Sequence, residues 1–155
     1  MRKYNDKVID IKTTADKLGE RCLYLLAARA LSGCDRVSYP FGKGKIKAIN
    51  LVLNSVVITL KEFVYPVAKE EAWIEEGLSF LSKLYGGKGI TSLANLRCSI
   101  FSKKKDPPKI KSLPPTDEAA VQHVRRTRLQ VLIWRAADQV TPPDIDVVGS
   151  LTILS

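Results

Sequence analysis

The sequence has few of the residues that build metal centres and disulfide frameworks. Cys22, Cys34 and Cys98 are its only cysteines, widely spaced and without a C-x-x-C pair, and His123 is its single histidine. Zinc sites need several thiolate or imidazole ligands, and a disulfide framework needs an even set of cysteines. We therefore expect neither. Cys34 has no identifiable base beside it that would activate a nucleophile, which favours a packing role.

Long apolar runs are also absent. No stretch approaches the roughly 18 consecutive apolar residues of a membrane span. The first residues, MRKYND, are not followed by the apolar region of a signal peptide. The sequence therefore predicts an intracellular protein without a membrane partner. It contains no internal repeat of useful length, which argues against a repeat architecture.

What the sequence does have is positive charge on a chain of domain size. Its 155 residues are 45% hydrophobic, which is enough for one core. The 25 lysines and arginines outnumber the 16 acidic residues and leave a formal charge of +9. A net charge of this sign favours polyanionic partners through counterion release, although charge alone does not choose between nucleic acid and an acidic membrane surface.

Helical periodicity dominates the chain, so we expect a mainly α-helical fold. Capping residues, prolines and glycines set the expected helix boundaries. The predicted segments are a short turn capped by Thr13 or Thr14 and ending at Leu18, then Glu20 to Leu31, a helix from near Lys45, Pro66 to Tyr85, Thr91 or Ser92 to Ser102, and a long helix capped by Thr116.

One or two short strands are expected near the start of the chain. Val8 to Ile11 alternates apolar and charged residues, and Val56 to Thr59 is a β-branched run. These strands would have few partners within the sequence, so we expect that part of a sheet is missing. The apolar ending after Pro142 has no recognisable periodicity, which we interpret as a truncation or a divergent splice.

The expected organisation has five parts. Residues 1–64 form an N-terminal part, 65–102 a helical extension, 103–115 a basic proline-rich linker, 116–141 a C-terminal helix and 142–155 an irregular tail. The basic run from Lys103 to Lys111 is interpreted equally well as a solvated linker or as a nuclear-localisation or nucleic-acid patch.

The segment with the clearest chemistry is Gly42-Lys43-Gly44-Lys45. Two glycines permit positive φ and close backbone approach, and the unpaired N–H groups of a following helix start suit an anion. Lys43, Lys45 and Lys47 would add charge around a docked phosphate and bind backbone without choosing a sequence. Taken alone, the same pattern fits a tight interhelical turn beside solvated lysines.

The neighbouring residues resemble a known family. Gly33-Cys34-Asp35, followed by Gly42-Lys43-Gly44 and then Ala48 and Leu51, looks like the helix-hairpin-helix segment of flap-endonuclease and XPG-like nucleases. The wider pattern is similar to the ALTGCDTxSxxFGxGK signature of uncharacterised, apparently mobile-element-derived proteins with a PIN-like nuclease region. Those proteins also carry an LPPTD…QHxxR…W segment, which residues 113–134 repeat closely.

The resemblance implies a fold and a function. The implied fold is the helix-hairpin-helix-containing remnant of an α/β PIN-like domain, followed by a helical C-terminal region. The implied function is DNA-backbone binding without sequence specificity, through Gly42, Lys43, Gly44, Lys45 and Lys47. Two residues depart from the pattern. Relatives usually carry histidine at the position of Arg29 and threonine at the position of Arg36.

Asp35 matches an aspartate that helps to hold divalent ions in this family. Mg²⁺ needs a cluster of oxygen ligands, and only 34 residues precede Asp35, too few to include the family's upstream acidic strands. Mg²⁺ is therefore expected only with ligands from missing upstream sequence, and catalysis by this chain alone is not expected. The alternative role of Asp35 is to cap or hydrogen-bond the glycine-rich turn. The alternative functions are a metal-dependent nuclease, completed by missing upstream sequence, and an inactive or protein-binding remnant.

Three further side chains are interpreted as structural. His123 has no cysteine, serine or carboxylate at a spacing that implies a triad. Trp73 and Trp134 lie in apolar helical stripes, where packing is favoured over base stacking. We therefore assign no catalytic residue from the sequence.

Overall fold

The computed structural model describes residues 10–54, 59–88, 92–103, 106 and 108–137. Within these ranges the protein is mainly α-helical, as predicted. Seven α-helices and one short 3-10 helix are present: α1 Ile11–Leu18, α2 Arg21–Leu31, α3 Lys45–Asn54, α4 Lys61–Val64, α5 Glu70–Leu84, α6 Leu93–Lys103, the 3-10 helix Ile110–Ser112 and α7 Asp117–Arg135.

The described ranges contain no β-strand, and the predicted strand from Val8 to Ile11 is wrong where the structure covers it. Asp10 caps α1 by accepting hydrogen bonds from the Thr13 amide at 3.1 Å and from the Thr13 hydroxyl at 2.6 Å. The cap is therefore Asp10 rather than Thr13 or Thr14, because its carboxylate satisfies a free amide of the first turn. Most of the second predicted strand, residues 56–58, and the tail 142–155 lie outside the described residues.

Two boundaries around Pro66 also differ from the prediction. Instead of one helix from Pro66 to Tyr85, α4 ends at Val64 and α5 begins at Glu70. The Arg128 guanidinium of α7 donates hydrogen bonds to the carbonyls of Tyr65 and Pro66, at 3.0 and 3.2 Å. Those contacts hold the intervening residues in a bend, so a tertiary interaction overrides the helix-starting preference of proline.

The core lies where α2 packs against α3, α4 and α7, and where α5 packs against α4 and α7. Phe63, Phe80 and Trp73 are among its buried side chains, and Trp134 packs at its edge. Trp73 and Trp134 therefore serve in packing, as expected. Gly77 lets α5 and α7 approach closely, because a Cβ atom there would lie 2.6 Å from the Val124 Cγ1 atom.

The arginines of α7 are largely used inside the fold. Arg128 also stacks on Trp73, with its guanidinium 4.5 Å from the ring centroid. Arg135 donates a hydrogen bond to the Val64 carbonyl, and Arg125 forms a 2.8 Å salt bridge with Glu70. Arg126 remains exposed. Much of the positive charge on this helix therefore stabilises the packing of α7 on α4 and α5.

The end of the predicted linker packs against this helical body. Leu113 and Pro114 are buried, and Arg97 of α6 donates a 2.8 Å hydrogen bond to the Pro114 carbonyl. The predicted cap of the last helix is confirmed, since the Thr116 hydroxyl accepts from the Ala119 amide. No helix in the described part of the chain is both long and apolar enough to span a membrane.

Candidate nucleic-acid interface

The helices α2 and α3 form an antiparallel pair joined by residues 32–44. The pairing is fixed at its far end by Arg21, which donates a 3.1 Å hydrogen bond from the start of α2 to the Leu53 carbonyl near the end of α3. The connection therefore projects from one end of the pair. This connection carries all the site residues predicted from the sequence except Lys45 and Lys47, which begin α3.

The first half of the connection is a tight turn that follows Gly33. Gly33 has φ 98°, and a Cβ atom there would lie 2.8 Å from the Tyr39 Cα atom, so no larger residue fits. Cys34 and Val37 exchange backbone hydrogen bonds of 3.2 and 3.0 Å. The side chain of Cys34 is buried, in agreement with the expected packing role. Asp35 occupies the exposed tip of this turn.

Asp35 does not cap the glycine-rich turn. Its carboxylate makes no hydrogen bond or ion pair with the described part of the chain, so the capping alternative is not what the structure shows. The described residues also include no group of three or more histidine, cysteine, aspartate or glutamate side chains that could hold a metal ion. One exposed carboxylate does not make a Mg²⁺ site. Mg²⁺ binding with additional ligands stays a prediction.

The second half of the connection is the predicted glycine hairpin. The Lys43 amide donates to the Pro40 carbonyl at 3.1 Å, and Gly42 in this turn has φ 70°. Positive φ at the third position of a β-turn favours glycine. Gly44 immediately precedes α3, and its carbonyl accepts from the amides of Lys47 and Ala48 in the first turn. An added Cβ atom at Gly42 or Gly44 would meet nothing within 4 Å, so the backbone is open to a ligand.

The three predicted lysines do not all point the same way. The Lys43 ammonium lies 4.8 Å from the ring centroid of Tyr85, and that of Lys45 lies 5.8 Å from the centroid of Tyr39. Both rings line the same pocket. Lys47 is exposed and follows Lys45 by two helical residues, which places it about 200° further around α3. Lys43 and Lys45 therefore each lie beside an aromatic ring of the same pocket.

The pocket beside these lysines has a volume of about 410 Å³. Its walls come from the loop Ser38–Phe41, the end of α5, α6, the residues around the 3-10 helix, and α7. Residues in this pocket that the sequence did not single out are Tyr39, Tyr85, Arg97 and Ile110, whereas Lys111 belongs to the basic run interpreted as a linker or a nucleic-acid patch. Phe41 and Tyr39 stand next to the glycine motif and carry a signal in the sequence, as exposed aromatic residues flanking a basic turn. The others are brought there only by the fold.

His123 lies at the inner wall of the pocket and has the structural role expected for it. One ring nitrogen, Nε2, lies 2.9 Å from the Leu31 carbonyl at the end of α2, and the other, Nδ1, lies 3.4 Å from the Ser38 hydroxyl. A carbonyl only accepts, so Nε2 carries the proton and Nδ1 is the acceptor in the neutral ring. Burial lowers the pKa of His123, and nearby Arg126 lowers it further, while the Leu31 hydrogen bond opposes the shift.

No protein-family model, curated protein or solved structure significantly matches this chain.

Proposed function

We propose that the hairpin between α2 and α3 binds the phosphate backbone of DNA without sequence selectivity. In this proposal the hairpin is a helix-hairpin-helix element, and the chain is a remnant of a PIN-like, flap-endonuclease-like protein. The observation that carries it is the open backbone at Gly42 and Gly44, which alternate along the chain with Lys43 and Lys45 at the start of α3.

The physical argument combines backbone and side-chain charge. The amides of Lys45 and Ile46, at the first turn of α3, make no hydrogen bond with the described residues. Such amides, together with the positive end of the helix dipole, favour an anion. The nearby lysines add full charges, and a phosphate is the group that matches both. Contacts of this kind fix the register of a protein on DNA but carry no base information.

The direct test is duplex DNA binding by a charge-reversed protein. Replacing Lys43, Lys45 and Lys47 with glutamate should abolish the salt-sensitive increase in fluorescence anisotropy of a labelled duplex of mixed sequence. Duplexes of unrelated sequence should bind the unaltered protein with similar affinity. Unchanged duplex binding by the triple variant would refute the proposal.

A matched control variant has the same net charge as the triple glutamate variant. Lys12, Lys17 and Lys69 are exposed, and replacing them with glutamate changes the charge by the same amount. Lys12 and Lys17 lie on α1, which precedes the start of α2, whereas the hairpin follows the end of α2. Lys69 precedes α5, about 24 Å from Tyr85 along that helix. This control should keep most of the duplex affinity, and helical circular dichroism should match for all three proteins.

A further inference from the structure

The pocket of about 410 Å³ adjoins the proposed phosphate-binding hairpin, because lysines of the hairpin lie beside aromatic residues of the pocket. Lys43 contacts the Tyr85 ring and Lys45 lies over the Tyr39 ring, and both rings line the pocket. A phosphate held at the hairpin would therefore lie next to the pocket mouth. The volume falls within the range of about 300 to 1,000 Å³ that is typical of small-molecule sites.

Exposed rings form part of the pocket wall. Tyr39 is 57% exposed and Phe41 is 47% exposed, and Ile110, which also lines the pocket, is 74% exposed. Large apolar side chains gathered at one opening are unusual on a protein surface and mark contact sites. Flat aromatic faces suit nucleobases, because every base has a π-face on which a ring can stack.

Positive charge surrounds the same rings. The Lys111 ammonium lies 4.4 Å from the Phe41 ring centroid, and it approaches the pocket from the side of the 3-10 helix. Lys43 and Lys45 approach from the hairpin. Three ammonium groups thus lie 4.4 to 5.8 Å from the centroids of aromatic rings that line the pocket. This arrangement matches a ligand that joins planar apolar rings to anionic groups, which is the chemistry of a nucleotide.

The inner wall offers hydrogen-bonding groups. Because Nδ1 of His123 accepts, the Ser38 hydroxyl is oriented to donate to it, which leaves the hydroxyl oxygen as an acceptor at the pocket surface. Ser38 itself is exposed. The edge of a base carries amino donors and carbonyl acceptors that such a hydroxyl can meet. The lining of the pocket therefore combines aromatic faces with one hydroxyl acceptor.

We infer that this pocket binds an unpaired nucleotide of a DNA strand whose neighbouring phosphate is held at Gly42 to Lys45. The inference rests on the proposed backbone binding and narrows it to DNA with a single-stranded stretch. The base stacks against Phe41 and Tyr39, and the Lys111 ammonium pairs with a phosphate on the far side.

The test compares single-stranded and duplex DNA with the full chain. Phe41→Ala removes one stacking face, and it should weaken binding of a labelled oligothymidylate about tenfold, the effect of one lost base stack. Duplex affinity should change less than twofold. Ile110→Ala is the matched control, because it removes exposed apolar surface from the same pocket without removing a ring, and it should leave both affinities within about twofold.

A second measurement reports stacking directly. An oligonucleotide that contains the fluorescent base 2-aminopurine should lose fluorescence on binding to the unaltered protein and to Ile110→Ala, but much less on binding to Phe41→Ala.

Equal single-strand affinity for Phe41→Ala and the unaltered protein would overturn the inference and leave the exposed rim available for a protein partner. The variant with glutamate at positions 43, 45 and 47 gives a further outcome. If it loses duplex binding while Phe41→Ala still weakens its single-strand binding, the result supports the pocket. Absence of any DNA binding would refute both proposals, whereas duplex binding without a Phe41 effect would refute the pocket alone.

Discussion

Neutralising Lys43 and Lys45 together should change how strongly duplex binding depends on salt. Each phosphate neutralised on B-DNA contributes about 0.9 to the negative slope of log K against log salt concentration. Both ammonium groups lie beside aromatic rings of the same pocket, so we count two contacts. The double change to glutamine should therefore reduce the slope by about 1.8.

The same count gives the loss of affinity. At about 0.1 M salt, two contacts correspond to about 1.8 logarithmic units, or roughly a 60-fold weaker duplex affinity, which is about 2.5 kcal/mol. Part of this loss is offset because each ammonium already interacts with a ring, and an exposed cation–π contact is worth about 0.5 to 1 kcal/mol. The slope counts released ions and is not altered by that offset, so it is the sharper measurement.

The assay is a salt titration of duplex binding by fluorescence anisotropy, with three further proteins. Lys47→Gln should change the slope less than Lys45→Gln does, because Lys47 lies on another side of α3. Lys12→Gln with Lys17→Gln is the control of equal charge, and its slope should stay within about 0.3 of the unaltered value. A slope unchanged in the Lys43 and Lys45 double variant, or reduced equally in the control, would refute the two-contact count.

Three other predictions concern stability. Burial lowers the pKa of His123 below its usual 6.5. The stabilising contribution of His123 is therefore complete above pH 6.5 and is lost as pH falls towards the folded-state pKa. His123→Gln should flatten the fall of the melting temperature between pH 7.5 and 5. Gly77→Ala should lower the unfolding free energy by about 1 to 3 kcal/mol in urea titrations, because its Cβ atom would clash with Val124. Thr116→Ala should cost about 1 kcal/mol in the same assay, through loss of the α7 cap.

Each stability prediction has its own control. Val124→Ala should partly restore the Gly77→Ala protein, since it removes the atom that the new Cβ would meet; no recovery would contradict the clash. Thr116→Ser keeps the hydroxyl and should stay near the unaltered stability, so an equal loss in both variants would count against the cap. A pH profile for His123→Gln that parallels the unaltered protein would show that His123 does not cause the acid sensitivity.

Local signals in the sequence predicted the glycine turn and the helix boundaries near it. The glycine turn, the start of α3 at Lys45 and the Thr116 cap each depend on residues within about four positions of one another. The buried Trp73 also followed from helical spacing. The different direction of the Lys47 side chain also follows from helical geometry, since residues two apart in a helix lie about 200° apart. For these features the physical cause is local, and the sequence contains it.

Other features depend on residues far apart in the chain. Pro66 has a good local preference for a helix start, but hydrogen bonds from Arg128, 62 residues later, decide the outcome. The Ser38 and His123 contact joins residues separated by 85 positions. The pocket was not predicted for the same reason, because no local pattern places Tyr85 and Lys111 beside Phe41. Asp10 was missed as a cap because Thr13 and Thr14 are also good capping residues.

The hydrogen bond between His123 and the Leu31 carbonyl also has a consequence for synthesis on the ribosome. Its partners are 92 residues apart, and α7 covers part of the buried face of α2. At translation rates of about 5 to 20 residues per second, α2 would wait roughly 5 to 18 seconds for α7 to be made. During that interval an apolar helix surface is uncovered in the nascent chain. Slower translation of residues 32–123 should therefore increase aggregation and dependence on chaperones.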